Sequence, residues 1–373
     1  MKILHTGDLH LDSAFSSLSI CESENSREES RRTFKKMMDF ARENSYDLVL
    51  ISGDLFDAKY ITAATRELVK KCFSEVGCPV IIAPGNHDPY PLIPLYRAGE
   101  LSDNVYIFSS EQMQMFDFDE LGVSVCGYAF MSDRMNVSPL ENFTRPDTDN
   151  TLILCAHADI ASPTSKYAPI SARLIDAFGF AYAALGHIHT PPEITSRDTL
   201  IRYCGFPTGR SFDELGDGGA LSVTIEDGEA TAERIVFSSH RFLEDTLDIS
   251  DAQSQQDIEK RIAEYAVLAE YGNDTSLSLT LTGSVSFELA IDTEALAQTK
   301  TPLRSLKVKN NTLPVLSGEE LQKDITLRGE LYRALLPKLE SSDPAERRTA
   351  AAALRIGLFA IDGKNLSDIV SVD

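Results

Sequence analysis

At 373 residues, with 43% hydrophobic and 25% charged side chains, the chain has the composition of a globular protein and the length of two or three domains. Its net charge of −22, from 57 acidic and 35 basic side chains, disfavours broad electrostatic adhesion to nucleic acid or anionic membrane. No run approaches the roughly 18 apolar residues of a membrane-spanning helix, and the six scattered cysteines lack a C-x-x-C pair, which argues against a disulfide framework or structural zinc and fits a reducing cytosol.

A first strand is expected over residues 2–7, entered without the apolar stretch of a signal peptide. Asp8-Leu9-His10 follows it, and in an extended segment i and i+2 face alike, so Asp8 and His10 can converge on one ion. Residues 13–25, rich in Ser and Glu, read as a loop. Ser26-Arg27-Glu28-Glu29 has the capping-box pattern, opening a helix with Phe34, Met37, Met38 and Ala41 on one face. The basic residues Arg27, Arg31, Arg32, Lys35 and Lys36 are interleaved with acids and read as a solvated helix face.

Leu48-Val49-Leu50-Ile51-Ser52 reads as a strand buried on both faces, the centre of a parallel sheet. Asp54 lies just past its end, where α/β sheets collect ligands. A helix from about Ile61 to Val76 leads to a strand at 79–84 and then Gly85-Asn86-His87-Asp88. This β-α-β-α-β order predicts parallel strands with right-handed crossovers. Residues 105–108 and 122–130 read as strands separated by an acidic turn. Buried strands at 151–156 and 181–185 end at His157 and at Gly186-His187-Ile188-His189.

After residue 200 the pattern turns to shorter alternating strands, with a hairpin over 220–226 and 231–237 around Asp227-Gly228. Beyond a boundary near 242–250 the expectation is strand 241–248, helix 252–271, strand 275–282, a short helix near 292–298 and strand 304–310. A linker at 311–317 and helices at 318–339 and 344–360 follow. The division adopted is 1–245, 246–312 (a small α+β unit) and 313–373 (helical).

Five of the seven histidines, His10, His87, His157, His187 and His189, follow buried strands, and Asp8, Asp54 and Asn86 occupy equivalent places. Carboxylate, imidazole and amide without thiolate suit divalent manganese, iron or zinc and are poor for copper(I) or iron–sulfur clusters. Seven residues serve two ions if Asp54 bridges them. His5 and His240 read as structural.

Asp8-x-His10, Gly53-Asp54, Gly85-Asn86-His87-Asp88, His157 and Gly186-His187-x-His189 together resemble the calcineurin-like metallophosphoesterases, most closely the bacterial SbcD/YhaO group of DNA-repair exonucleases. The segment from Gly205 to Glu214 is similar to one that follows the last ligand in that group. The resemblance is specific over residues 1–220 and vague over 245–340. It implies a four-layer α/β/β/α sandwich with a small α+β cap and a helical tail. It also implies one ion on Asp8, His10, Asp54 and His189, and a second on Asp54, Asn86, His157 and His187. His87 would face the scissile phosphate as acid or charge stabiliser, oriented by Asp88. Two ions about 3.5–4 Å apart lower the pKa of a bridging water and clamp the oxygens of an in-line displacement. Manganese is the expected metal, with iron, zinc and magnesium as alternatives.

Two positions depart from the family pattern. Cys155-Ala156-His157-Ala158-Asp159 lacks a glycine beside the histidine, and Asp57 stands where archaeal and eukaryotic nucleases often have His. Asp57 is a candidate substrate-binding residue at that position, or else supports the metals from behind or caps a helix. Arg202 and Arg210 either contact a substrate phosphate or are solvated surface. The implied function is DNA hydrolysis by a cytoplasmic exonuclease with an SbcC-like coiled-coil ATPase as partner, no membrane association, and room for a homodimer. The rival expectations are hydrolysis of nucleotides or small phosphate esters, and a mainly structural subunit of such an ATPase complex.

Overall fold

Strands β1 (Lys2–Thr6), β2 (Leu48–Ile51) and β3 (Val80–Ile82) run parallel and in step, Thr6 opposite Ile51 and Ile51 opposite Ile82, so their carboxyl ends stop at one level. They belong to the first of two units, Met1–Leu243 and Glu244–Asp373, of a computed structural model that describes residues 1–14, 20–57, 61–286, 289–315, 318–361 and 363. Side-chain alternation explains why β2 is apolar throughout. Leu48 and Leu50 enter one core, Val49 and Ile51 another on the opposite face, and all four are fully buried. Each contributes about 1.5–3 kcal/mol on burial, which fixes this short strand at the middle of its sheet.

β4 (Val105–Ile107) extends that sheet in parallel. A second sheet holds β5 (Gln114–Phe118), β6 (Val123–Gly127), β7 (Thr151–His157), β8 (Tyr182–Gly186) and β9 (Leu200–Tyr203), parallel except for β5. β10 (Gly216–Glu226) returns to the first sheet, antiparallel to β1. A tight turn with positive φ at Asp227 and Gly228 then leads into β11 (Glu229–Asp248). Between the sheets, Ile3, Leu50 and Ile81 of the first share a core with Val125, Ile153 and Ala184 of the second. The first sheet's outer face carries α1 (Ile20–Glu43) and α2 (Ala63–Glu75), through Phe34, Met37 and Phe73. The one-turn helix α3 (Pro94–Arg97) follows β3, and α4 (Ala172–Ala177) covers the second sheet's outer face with Ile175. The result is the α/β/β/α layering.

The second unit is built from α5 (Gln255–Leu268), β12 (Thr275–Thr282), β13 (Ser284–Ser286), α6 (Thr293–Leu296), β14 (Ser305–Asn310) and β15 (Leu313–Val315). Three helices, α7 (Gly318–Lys323), α8 (Leu327–Leu339) and α9 (Pro344–Ile361), complete it. Ser254 caps α5, whose buried stripe is Ile258, Ile262 and Ala266, and Leu277, Leu279 and Leu281 of β12 are buried. No described helix is long and apolar enough to cross a membrane.

Several elements differ from the sequence expectation. α1 begins at Ile20, so Ser26 lies inside it and is no cap. Arg31 of that helix reaches back to buried Asp12 at 2.8 Å and to Glu24, and is no solvated residue. Part of the expected 13–25 loop, residues 15–19, falls outside the described residues. β5 replaces the acidic turn: Phe116 and Phe118 pack on Tyr106 while the intervening residues face solvent. The strands at 231–237 and 241–248 are one continuous β11. Leu313–Val315 pairs in parallel with β13, where a linker was expected, and residues 316–317 lie outside the described residues. The helix expected over 318–339 is broken at Asp324, whose carboxylate accepts the Thr326 N–H at 2.6 Å and so competes with helix continuation.

Candidate metal centre

The strand ends deliver the singled-out residues to one place. Asp8 and His10 follow β1, Asp54 follows β2, Asn86 and His87 follow β3, His157 ends β7, and His187 and His189 follow β8. Ligand atoms of Asp8, His10 and His189 lie within 4.8 Å of one another, as do those of His10, Asp54 and His87, and those of Asp8, Asp54 and His157. Beyond the strands the two loops zip together, Asp8 N–H on Gly53 O at 2.9 Å and His10 N–H on Asp54 O at 2.9 Å. Asp8, His10, Asp54 and His187 all have positive φ, a conformation that non-glycine residues rarely adopt and that concentrates at functional sites. Glycine is required at 53: φ is +94°, and a Cβ would stand 2.4 Å from His157 Nδ1.

Asp88 accounts for how the loops are held. It is fully buried, and Oδ1 accepts the N–H of Asp54 at 3.0 Å and of Gly85 at 2.7 Å. Oδ2 accepts from Leu55 N at 2.9 Å, Phe56 N at 3.3 Å and Tyr96 Oη at 2.6 Å. The expectation that Asp88 orients the His87 ring is therefore corrected: its lone pairs are taken by two loops' backbone amides and Tyr96. The His87 ring stands exposed, edge-on to His10 at 4.8 Å between centroids, and its backbone N–H donates to Asp54 Oδ1 at 2.8 Å.

The other Asp54 oxygen, Oδ2, faces His10 Nε2 at 3.6 Å and His157 Nε2 at 3.5 Å. His157 Nδ1 is within hydrogen-bond distance of the Ser52 carbonyl, 3.0 Å, and donation there turns the Nε2 lone pair inward, 2.9 Å from Asn86 Oδ1. His189 Nε2 faces Asp8 Oδ1 at 3.6 Å and His10 Nε2 at 3.4 Å. His10 Nδ1 is buried with no hydrogen-bond partner, while its Nε2 is shared between His189 Nε2 at 3.4 Å and Asp54 Oδ2 at 3.6 Å. Neither Asp8 nor Asp54 has an ammonium or guanidinium partner among the described residues. Lone pairs converging at these separations suit cations, because atoms bound about 2.1 Å from one ion stand roughly 3.0–3.4 Å apart. Burial and the charge of Asp8 push the Asp54 carboxyl up to about 7. Burial opposes charge on His189, but Asp8 and Glu214 outweigh it and raise the ring to about 9. The residues thus fit divalent ions, which would supply the positive charge that buried carboxylates need.

His187 belongs to none of the three groups. Its ring packs edge-on to His157 at 5.1 Å and against Tyr167 at 4.7 Å, while its backbone N–H donates to both Asp8 oxygens. Arg210 touches the cluster, with Nη2 3.1 Å from His189 Nδ1, whereas Arg202 folds onto the Ile201 carbonyl. Asp57 does not cap α2, because Thr62 does. His5 is buried between Tyr182 Oη at 2.7 Å and Ser52 Oγ at 3.0 Å, and burial lowers it to about 3, so it stays neutral. His240 packs on Phe242. Sequence reasoning assigned no role to Glu214, whose carboxylate lies 2.6 Å from His189 Nδ1. The signal was its position four residues after Arg210.

A family model described as calcineurin-like phosphoesterase matches residues 1–191. The chain is 24% identical over 296 residues to the uncharacterized metallophosphoesterase YhaO of Bacillus subtilis, spanning 76% of this chain and 72% of that protein. It is 27% identical over 291 residues to the SbcD component of the nuclease SbcCD of Bacillus subtilis, spanning 64% and 70%. It is 26% identical over 253 residues to the DNA double-strand break repair protein Mre11 of Aeropyrum pernix, spanning 61% and 59%.

Proposed function

Because the chain belongs to the calcineurin-like phosphoesterase family, we propose that it is a two-metal phosphodiesterase acting as an exonuclease on DNA. The observation that carries this reading is one carboxylate oxygen, Asp54 Oδ2, set between His10 and His157. One ion is assigned to Asp8, His10, Asp54 and His189, the other to Asp54, Asn86, His157 and His187, with manganese as the expected metal. When bound, two such ions supply Lewis acidity and a nucleophile from water at neutral pH. His157 keeps its Nε2 lone pair inward through Ser52, and Asp88 holds both loops in place. His87 stands exposed at the mouth, free to give a proton to the leaving oxygen. Arg210 Nη1 has no partner among the described residues and can meet a phosphate oxygen.

The choice of DNA draws on relatives named as part of a nuclease and as a double-strand break repair protein. A relative named as one component of a larger nuclease also supports a partner here, of the SbcC-like ATPase kind. Five buried free thiols suit the cytoplasm. The net charge of −22 favours a second reading, hydrolysis of nucleotides or small phosphate esters.

The test is a manganese-dependent hydrolysis panel of single-stranded DNA, duplex DNA and small phosphodiesters. Manganese-dependent shortening of DNA is expected, with weak duplex binding by the isolated chain. Arg210→Ala should lower the salt dependence of that binding by roughly one unit of slope. Turnover confined to small esters would favour the second reading. Tight binding unchanged by Arg210→Ala would place the DNA surface elsewhere.

A further inference from the structure

A single carboxylate behind the cluster serves two functional groups at once. Glu214 is buried at 4% exposure. Its Oε1 lies 2.6 Å from His189 Nδ1, and also accepts Arg210 Nη2 at 2.6 Å and Nε at 2.9 Å. Oε2 accepts the Arg210 backbone N–H at 2.7 Å, closing the turn that carries both residues. His189 Nδ1 therefore has two neighbours, Glu214 and, at 3.1 Å, Arg210 Nη2. The two demand opposite tautomers. A guanidinium can only donate, so pairing with it would require a bare Nδ1 and put the proton on Nε2, pointing at Asp8. A carboxylate can only accept, so in the neutral ring that a cation requires, pairing with Glu214 puts the one proton on Nδ1 and leaves Nε2 bare. Distance decides between them: the Glu214 contact is shorter by half an ångström, and the Arg210 nitrogen is already committed to the same carboxylate oxygen.

We propose that Glu214 is a positioning residue that fixes His189 with Nε2 free to bind metal and holds Arg210 beside it at the mouth of the site. This rests on the two-ion reading given above. Carboxylates that fix the ring of a ligating histidine typically change metal affinity about 10–100-fold when removed. Glu214 acts on the ion held by His189 and not on the ion held by His157, whose tautomer is set independently by the Ser52 carbonyl. Arg210 shares Oε1 with His189, but the His189–Glu214 contact does not run through the guanidinium, so removal of Arg210 leaves that pair in place.

The experiment is calorimetric titration of the metal-stripped full chain with manganese(II), for the wild type, Glu214→Gln, Glu214→Ala, Arg210→Ala, His189→Ala and the Glu214→Ala/His189→Ala pair. Each variant is first checked by thermal melting, and the two Glu214 variants stand in for each other if one fails to fold. Two ions are expected on the wild type. Glu214→Ala should weaken one of them about 10–100-fold, Glu214→Gln should weaken the same one, and Arg210→Ala should weaken neither. In the His189→Ala background Glu214→Ala should add nothing, because it acts through that ring. A merely structural role would instead weaken both ions, or add its full loss without His189. Either result, or two unaltered sites in the Glu214 variants, overturns the proposal. A wild type that takes up fewer than two ions fails the two-ion reading itself.

Discussion

Replacing His87 by alanine is expected to lower turnover on DNA about 10²–10⁴-fold, the range of a lost general acid, while both metal sites stay filled. The ring is exposed and its backbone N–H, not its imidazole, is what holds Asp54 Oδ1, so the substitution leaves the local hydrogen bonding intact. The geometry also sharpens the test, because the His87 ring lies close enough to His10 and Asp54 to be counted as a ligand. Metal content separates the roles. Two ions with lost turnover support proton donation, whereas loss of an ion with turnover makes His87 a ligand. A substrate with a poor leaving group is required, since a nitrophenyl leaving group needs no proton. Near-normal rates on such a substrate would remove His87 from the mechanism.

Asp88→Asn is expected to destabilise the first unit by on the order of 3–5 kcal/mol, because an amide nitrogen would face donors where a carboxylate oxygen now accepts. Four backbone N–H groups and the Tyr96 hydroxyl converge on this one buried side chain. Burial and the charge of Asp54 push the Asp88 carboxyl up to about 7, against the hydrogen bonds that favour its charged form. The loss should appear as a fall of roughly 10 °C in melting temperature, accompanied by weaker metal binding as both loops loosen. An unaltered melting temperature with turnover lost would restore Asp88 as the partner that orients His87.

The site was legible where apolar runs ended in ligand-type residues, because strand ends in a parallel sheet share one edge. Asp8, His10, Asp54, His157 and His189 could be grouped that way without any contact being known. The Asp88 contacts were not legible because three of its five donors are backbone amides of a loop more than 30 residues away, and backbone donors leave no mark in a sequence. Glu214 escaped for a similar reason: it sits in a turn-rich segment 25 residues from His189. In the fold, β5 was hidden because an edge strand with one solvated face can carry the acidic residues of a turn. The start of α1 was hidden because the side chains described near it are polar and charged, Glu24 pairing with Arg27 and Arg31, and such residues also read as a loop.

The central claim is that two ions share Asp54, and metal content of Asp54→Ala tests it most directly. Oδ2 of this carboxylate faces His10 on one side and His157 on the other, so its removal takes a ligand from each ion at once. The measurement is manganese bound per folded chain after equilibration and desalting, for the wild type, Asp54→Ala and His189→Ala. The account predicts two ions on the wild type, loss of both in Asp54→Ala, and weakening of only one in His189→Ala. Two tightly bound ions on folded Asp54→Ala would contradict it.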